Sequence, residues 1–213
     1  MTGRFIALEG IEGVGKSTAA AHLCARLAAA GKTPLATREP GGTPFGERLR
    51  EALLDPGETP EPEAELLLMF AARLQHLRRV IRPALAAGRW VVCDRFVDAS
   101  YAYQGGGRGL PEAHIAALEA WLLEGLRPDP VILLDAPVPV ALARARGRAG
   151  AADRFERLDE AFFERVRRAY LDRAAADPDR YRVIDAARPW PEVRAELDRV
   201  LDGCLADDGA GRT

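Results

Sequence analysis

The segment Gly10–Ser17 narrows the possible folds of this chain more than any other. Its sequence, GIEGVGKS, matches the pattern G-x-x-x-x-G-K-[ST], in which backbone N–H groups wrap around the phosphates of a nucleotide. An apolar run precedes the segment and an Ala/Leu-rich stretch follows it, so a strand should lead into the loop and a helix should leave it. The N-terminus of that helix adds a favourable dipole to the anion site.

The motif assigns roles to particular side chains. Lys16 is expected to reach the β- and γ-phosphates as a flexible point charge, and Ser17 to bind Mg²⁺. The residues predicted to bind the nucleotide are Gly10, Gly13, Val14, Gly15, Lys16, Ser17 and Thr18. Several classes remain open, because GTPases, ATP-driven motors and kinases of small molecules all share this loop. The guanine motif N-K-x-D cannot occur in a chain without asparagine, which disfavours a GTPase.

Composition makes the match specific. Lys and Arg total 30 residues, yet Lys16 and Lys32 are the only lysines, and Ser17 and Ser100 are the only serines. We attribute most of the bias toward Arg and Ala to a drift toward GC-rich codons. Where lysine and serine are this rare, a chance match to the motif is on the order of one in a thousand.

Short apolar runs alternate with longer helical stretches along the whole chain. Strands are predicted at Arg4–Glu9, Thr33–Arg38, Trp90–Cys93, Val131–Leu134 and Tyr181–Ile184. Helices are predicted at Lys16–Ala30, Pro44–Leu54, Pro62–Ala87 (bent or split at Pro83), Pro111–Glu124, Val138–Arg146, Asp159–Ala175 and Trp190–Leu205. This alternation predicts an α/β fold with a parallel sheet covered on both faces. We expect one domain over residues 1–205 and a flexible tail over 206–213.

Charge and cysteine usage exclude several other classes. The net charge of −2 and the pI near 6.0 argue against a general nucleic-acid coat. No run reaches the roughly 18 apolar residues that a membrane-spanning helix needs. The first residues lead straight into a strand-like segment, so no signal peptide is expected. The three cysteines are scattered and lack metal or disulfide spacing, which favours a reducing cytoplasm.

A second group of polar residues points to an acceptor site beside the phosphate loop. Glu9, Glu39, Asp94 and Asp135 follow apolar runs, and ligands of open α/β sheets bind beyond the carboxyl ends of strands. Phe70 and Arg73 lie three residues apart and so share a helix face, where a ring beside a guanidinium suits a stacked base. The alternatives stay open: Phe70 as a core residue, and Asp94–Arg95 as a structural ion pair.

Five segments together resemble bacterial thymidylate kinase. They are GIEGVGKST, REPGG-x-P-x-G, LLLMFAAR, CDRF and YAYQGGGRG, and the resemblance extends over residues 3 to 195. It implies a three-layer P-loop kinase fold with a five-stranded parallel sheet flanked by helices. It also implies transfer of the γ-phosphoryl group of ATP to dTMP with Mg²⁺, in a cytoplasmic homodimer without a nucleic-acid or membrane partner.

The resemblance also implies roles at the acceptor site. Phe70 would stack on thymine, while Arg73 and Gln104 would address the edge of the base, with Ser100 beside it. Arg38, Arg50 and Arg95 would hold the acceptor phosphate. Tyr103 would crowd the 2′ position of the sugar. Glu39 and Asp94 would order magnesium, waters or the acceptor, so the implied metal set is Ser17, Asp94 and Glu39.

A basic, glycine-containing segment from Arg144 to Arg154 is predicted to form part of a lid over ATP, at about residues 144–156. Positions 11–14 of the phosphate loop carry no cation, and members of the resembled family with such loops place the catalytic arginine in the lid. Arg144, Arg148 and Arg154 are the candidates, and the sequence does not rank them. Glu12 would hold the acceptor sugar or a lid arginine. The predicted catalytic set is Lys16, Asp94, Arg95, Arg148, Arg154 and Glu12, and Arg144 is placed with ATP.

Two other functions remain as alternatives at this point. A P-loop switch or partitioning ATPase would hydrolyse ATP without an acceptor, and it leaves the acceptor cluster without a role. A deoxynucleoside kinase would phosphorylate thymidine itself. The number of arginines at the predicted acceptor site favours an acceptor that already carries a phosphate.

Overall fold

The computed structural model of the chain describes residues 3–147, 154–155 and 158–210. Across these residues the strands are β1 (Phe5–Glu9), β2 (Pro34–Arg38), β3 (Trp90–Asp94), β4 (Val131–Asp135) and β5 (Tyr181–Asp185). They form one parallel sheet in the order β2-β3-β1-β4-β5. The predicted five-stranded parallel sheet is therefore confirmed.

Helices flank this sheet. They are α1 (Lys16–Ala29), α2 (Pro44–Leu54), α3 (Pro62–His76), α4 (Arg82–Ala86), α5 (Val97–Ser100), α6 (Glu112–Leu123), α7 (Val138–Arg146), α8 (Glu160–Ala176) and α9 (Trp190–Ala210). All of β1 and four of the five residues of β3 and of β4 are buried, as expected of strands covered on both faces. One continuous apolar core joins the strands to the helices.

The strand order places the site. The chain leaves β1 toward β2 on one side and reaches β4 on the other, so the order reverses beside β1. Such a reversal opens a crevice at the carboxyl ends of the strands, where ligands of open α/β sheets bind. The register brings Asp94 opposite both Leu8 of β1 and Arg38 of β2. The polar residues that follow β1, β2 and β3 therefore meet in this crevice.

The prediction that the long helix over Pro62–Ala87 is bent or split is confirmed: two helices are separated by a π-helical turn at Leu77–Ile81, because Pro83 cannot donate to a continuous helical ladder. Two other elements differ from the prediction. The glycine-rich stretch after β3 continues α5 as a π-helical segment, Tyr101–Gly107. The last helix reaches Ala210 instead of ending at Leu205, so residues 206–210 of the predicted tail are helical.

Within the described residues, no helix combines the length and apolar character needed to cross a bilayer.

Candidate active site

The phosphate loop between β1 and α1 needs its glycines for two physical reasons. Gly10 and Gly13 have φ angles of 132° and 79°, in the left-handed region that favours glycine. A Cβ atom at Gly13 would lie 1.9 Å from the carbonyl oxygen of Ala141, so the loop packs too closely on α7 for any side chain. The backbone therefore closes around a space that an anion can enter, as the motif predicts.

Lys16 begins α1 and turns back into the loop. Its Nζ donates to the carbonyl oxygens of Gly10 at 3.0 Å and Ile11 at 2.8 Å. Burial, and then the nearby charge of Arg95, lowers the pKa of Lys16 to about 8. A cavity of about 550 Å³ lies in front of this loop. Its lining residues are Glu12, Gly13, Gly15, Lys16, Ser17, Thr18, Arg38, Glu39, Arg50, Asp94, Arg95 and Arg144.

Ser17 and Asp94 form an oxygen-rich pair at the edge of this cavity. The Ser17 hydroxyl donates to Oδ2 of Asp94 at 3.2 Å, which joins the first turn of α1 to the end of β3. Mg²⁺ prefers hard oxygen donors and usually takes only one or two of them from the protein, the rest coming from phosphates and water. The donor set at this edge therefore fits Mg²⁺ bound with a nucleotide.

Arg95 connects the end of β3 to the phosphate loop. Its Nη2 donates to Oε1 of Glu12 at 2.7 Å and to the hydroxyl of Tyr103 at 2.9 Å, and its Nη1 donates to the carbonyl of Gly10 at 2.9 Å. The backbone of Arg95 has a φ of 72°, which is uncommon for a residue with a side chain. Strained backbone of this kind concentrates at functional sites, where the surrounding contacts enforce it.

A second, smaller cavity of about 80 Å³ adjoins the first. We call the larger one the phosphate cavity and the smaller one the acceptor cavity, after the residues predicted to line them. It is lined by Glu12, Glu39, Pro40, Arg50, Leu54, Met69, Arg73, Arg95, Ala99, Ser100, Tyr103, Gln104 and Phe155. The two cavities share Glu12, Glu39, Arg50 and Arg95. Two anionic groups, one in each cavity, would therefore meet between the side chains of Arg50 and Arg95.

Comparison with known proteins gives one consistent result. The family model described as thymidylate kinase matches residues 8–197. A curated thymidylate kinase from Pseudomonas savastanoi pv. phaseolicola is 57% identical over 206 residues, covering 96% of this chain and 98% of that protein. One from Bordetella pertussis is 58% identical over 196 residues, covering 92% and 93%. The crystal structure of thymidylate kinase from Ehrlichia chaffeensis superposes with a TM-score of 0.76 at 29% identity, covering 94% of this chain and 100% of that one.

The chain belongs to the thymidylate kinase family.

Membership of the thymidylate kinase family confirms the resemblance found in the five sequence segments, together with the predicted P-loop kinase fold and enzyme class. The arginines predicted to hold an acceptor phosphate take up different positions. Arg50 and Arg95 line both cavities, whereas Arg38 lines only the larger one. The Arg38 guanidinium is half-exposed and pairs with Glu47 at 2.9 Å.

Phe70, predicted to stack on thymine, does not line the acceptor cavity in this structure. Phe70 is 1% exposed and belongs to the apolar core, and the acceptor cavity is lined by its neighbour Met69. The reason is helical geometry: Met69 and Arg73 are four residues apart and lie over one another on α3, with Glu65 one turn earlier. Phe70 packs beneath this face, with the guanidinium carbon of Arg73 at 4.8 Å from its ring centroid.

The carboxylate of Glu39, which was predicted to bind the metal, contacts two side chains of α3. Its Oε2 accepts from Nε of Arg73 at 2.7 Å, and its Oε1 lies 3.0 Å from Nδ1 of His76. Both carboxylate oxygens are engaged inside the protein, so Ser17 and Asp94 fit Mg²⁺ better than Glu39 does. Arg73 also donates to the hydroxyl of Ser100 at 2.9 Å, which fixes this side of the acceptor cavity.

Two of the three candidate lid arginines, Arg144 and Arg154, lie within the described residues, and they have different surroundings. Arg144 lines the phosphate cavity from α7. Arg154 is buried away from the phosphate loop, where its Nη2 donates to Oε2 of Glu65 at 2.7 Å and its Nε to the carbonyl of Leu53 at 2.9 Å. Arg154, one of the three candidates for the lid arginine, therefore does not line the phosphate cavity in this structure. Arg148 lies outside the described residues.

Glu12 pairs with Arg95 and accepts a 2.6 Å hydrogen bond from the Tyr103 hydroxyl. Both contacts differ from the predicted partners, the acceptor sugar or a lid arginine. Tyr103 also lines the acceptor cavity.

Several residues of the site were not predicted. Met69 and Phe155 line the acceptor cavity, and His76 is wholly buried between Glu39 and Thr37. Glu65 has no motif of its own. Only Met69 carried a signal, since it lies four residues before Arg73 on a helix.

Proposed function

We propose that this chain transfers the γ-phosphoryl group of ATP to the 5′-phosphate of dTMP, giving ADP and dTDP. The observation that carries the proposal is the junction of two cavities. The phosphate loop lines one, both polar and apolar side chains line the other, and Arg50 and Arg95 belong to both. A switch or a hydrolase has no use for a second cavity of this kind.

ATP would enter from the larger cavity. The loop N–H groups and Lys16 would hold its β- and γ-phosphates. A side cleft of about 220 Å³ continues from the loop, and Arg144, Arg188 and Trp190 line it. Arg144 donates to the carbonyls of Ala186 and Ala187, at 2.6 Å and 3.1 Å. These two hydrogen bonds fix the orientation of the guanidinium plane. A flat cation and an aromatic ring suit the adenine ring system.

Ser17 and Asp94 would bind the Mg²⁺ that accompanies ATP. When bound, this ion neutralises charge on the phosphate oxygens. The protein holds the two oxygen donors 3.2 Å apart through the hydrogen bond between them.

dTMP would occupy the smaller cavity. Met69 and Phe155 would contact the faces of the thymine ring, while Arg73, Ser100 and Gln104 lie at its polar edge. The 5′-phosphate would reach Arg50 and Arg95, and the Tyr103 ring would crowd the 2′ position of the sugar.

The chemistry then depends on charge and alignment. An oxygen of the dTMP phosphate attacks the γ-phosphorus of ATP, the bond to the β-bridging oxygen breaks, and ADP leaves. The attacking oxygen is already anionic, so no general base is needed. The main obstacle is repulsion between two anions, and Lys16, Arg50 and Arg95, which all line the larger cavity, oppose it. Arg148 remains the predicted lid cation.

We also propose a homodimer. Leu67 of α3 is 57% exposed and Trp121 of α6 is 75% exposed, and these two helices contact each other. Large apolar side chains exposed on adjoining helices are typical of an interface. Light scattering should give about twice the chain mass of 23.1 kDa. A mass equal to that of one chain would contradict the dimer.

We further propose that one kinase domain, closed by α9, carries a lid at about residues 144–156 and works in the cytoplasm. One continuous core and three free cysteines support the single domain and the reducing compartment.

The deciding experiment measures ADP release with a panel of acceptors: dTMP, dUMP, dCMP, dGMP, AMP and thymidine. We expect a strong preference for dTMP. Preference for AMP or dCMP would refute the proposal, and preference for thymidine would indicate a deoxynucleoside kinase. ATP hydrolysis at the same rate without any acceptor would indicate a switch or partitioning ATPase.

A further inference from the structure

Glu65 is a wholly buried carboxylate that the mechanism above does not use. It lies on the face of α3 that also carries Met69 and Arg73, and its exposed fraction is 0%. Three side chains from other segments donate to it. Gln104 Nε2 donates to Oε1 at 2.8 Å, and Arg154 Nη2 and Arg108 Nη2 donate to Oε2 at 2.7 Å and 3.1 Å.

Such a carboxylate is costly unless its partners compensate it. Burial removes water from the charge, and two guanidinium groups with one amide replace it. An apolar residue at this place would need none of these partners. The cluster therefore calls for a role beyond packing, and the positions of its partners indicate which one.

Gln104 is the partner that lines the acceptor cavity. A side-chain amide has one accepting and one donating end, and a carboxylate only accepts. Glu65 therefore fixes the Gln104 NH₂ group toward itself. The amide oxygen of Gln104 accepts no hydrogen bond from any described residue, so it remains as an acceptor for a ligand.

Arg154 links the same carboxylate to the opposite wall of the cavity. The next residue, Phe155, lines the cavity and packs edge-on against Tyr103, with ring centroids 5.8 Å apart. The Arg154 guanidinium carbon lies 4.4 Å from the Phe155 ring centroid. Glu65 thus holds Gln104, whose amide can hydrogen-bond to the base, and also Arg154, which packs against the apolar ring of Phe155.

We propose that Glu65 is a positioning residue that sets base specificity, by holding the amide of Gln104 with its oxygen toward the bound pyrimidine. This inference rests on the proposed function. The N3 position of thymine or uracil carries a hydrogen and donates to such an oxygen. The N3 position of cytosine has a lone pair instead, and it would face the amide oxygen without a hydrogen bond.

The substitution Glu65→Gln tests this directly, because it keeps the shape of the side chain and adds a donating end. Oε2 accepts the two shorter arginine hydrogen bonds, at 2.7 Å and 3.1 Å, whereas Oε1 accepts only a longer one of 3.4 Å from Arg108 Nε. The amide oxygen therefore takes the place of Oε2, and the NH₂ group faces Gln104. Gln104 must then turn its oxygen away from the cavity and present NH₂ to the base. We expect the ratio of kcat/KM for dTMP to kcat/KM for dCMP to fall about tenfold, the effect of one hydrogen bond changed in sign.

Matched variants separate positioning from general damage. Glu63→Gln makes the same change at an exposed position of the same helix and should leave the ratio unchanged. Gln104→Leu removes the reader while Glu65 keeps both arginines, and it should also reduce the ratio. In the double variant, Glu65→Gln should have no further effect on the ratio.

The outcomes are distinct. If Glu65→Gln lowers kcat/KM for both nucleotides equally, its role is structural and the inference is overturned. If Glu65→Gln does not fold, a full dTMP preference in Gln104→Leu overturns the inference by itself. A wild-type enzyme that does not phosphorylate dTMP would instead refute the proposed function, which the same assay shows before any variant is compared.

Discussion

Arg95 and Glu12 form an ion pair, with 2.7 Å between Nη2 and Oε1, that joins the end of β3 to the phosphate loop. Through this pair the acceptor cavity and the ATP cavity share one wall. Glu12 also accepts from Tyr103, so the residue proposed to crowd the sugar is tied to the same loop. The position of the two substrates relative to each other therefore depends on a small set of side-chain contacts at one strand end.

The first prediction concerns Arg95. Arg95→Ala should lower kcat/KM for dTMP by about 10²-fold or more, because it removes a charge between the two phosphates. The Kd of ATP should change by less than about threefold, since Lys16 and the loop N–H groups remain. Steady-state rates and an ATP titration measure the two quantities. Arg168→Ala, at an exposed arginine of α8, is the control. An equal loss of ATP affinity would contradict the acceptor-side placement.

The second prediction compares the neighbours Met69 and Phe70. Met69→Ala should raise the KM for dTMP about tenfold with little change in stability, because Met69 lines the cavity. Phe70→Ala should instead lower the free energy of unfolding by about 3–5 kcal/mol, because it leaves a hole in the core. Substrate titration and urea unfolding of both variants check this. The opposite pattern, with the larger KM effect at Phe70, would restore its predicted stacking role.

The third prediction concerns Mg²⁺. Asp94→Asn should raise the Mg²⁺ concentration for half-maximal rate about tenfold at fixed ATP, because a neutral amide is a weaker ligand than a carboxylate. Asp135→Asn is the matched control, since Asp135 also ends a strand of this sheet, β4, but pairs with Arg167. Excess EDTA should abolish the turnover of the wild-type enzyme. A similar shift in both variants would show that Asp94 acts only through the general charge of the site.

How much of this site can be predicted from sequence depends on how local each determinant is. The phosphate loop was predictable because its glycines meet backbone constraints within a few residues of Lys16. The face of α3 that lines the cavity was not predictable. Phe70 lies three residues and Met69 four residues before Arg73, so either can share a face with it, and only packing distinguishes the two. The contact between Glu65 and Arg154 joins residues 89 positions apart, and no local pattern indicates it.

The same reasoning applies to the fold. Apolar runs predicted the five strands, and the three central ones, β1, β3 and β4, are buried as parallel strands covered on both faces are. The segment Tyr101–Gly107 was not predicted as helical, because three consecutive glycines favour a loop by propensity. Its helical form depends on close packing against α8, where a Cβ at Gly107 would lie 2.6 Å from the ring of Phe162.

The last prediction concerns pH. The pKa of Lys16 is lowered to about 8 by burial and by Arg95, and bound phosphate would raise it again. Below pH 8 the ammonium is charged with or without ATP, but above pH 8 binding must take up a proton. The affinity for ATP should therefore fall as pH rises above 8, by up to about tenfold per pH unit. Calorimetric titrations at pH 7, 8 and 9 measure this.

Lys16→Arg should bind ATP more weakly at every pH but without this slope. Glu9, whose pKa burial raises to about 8, titrates nearby, and Glu9→Gln isolates its share. An equal slope in Lys16→Arg would assign the effect to another group.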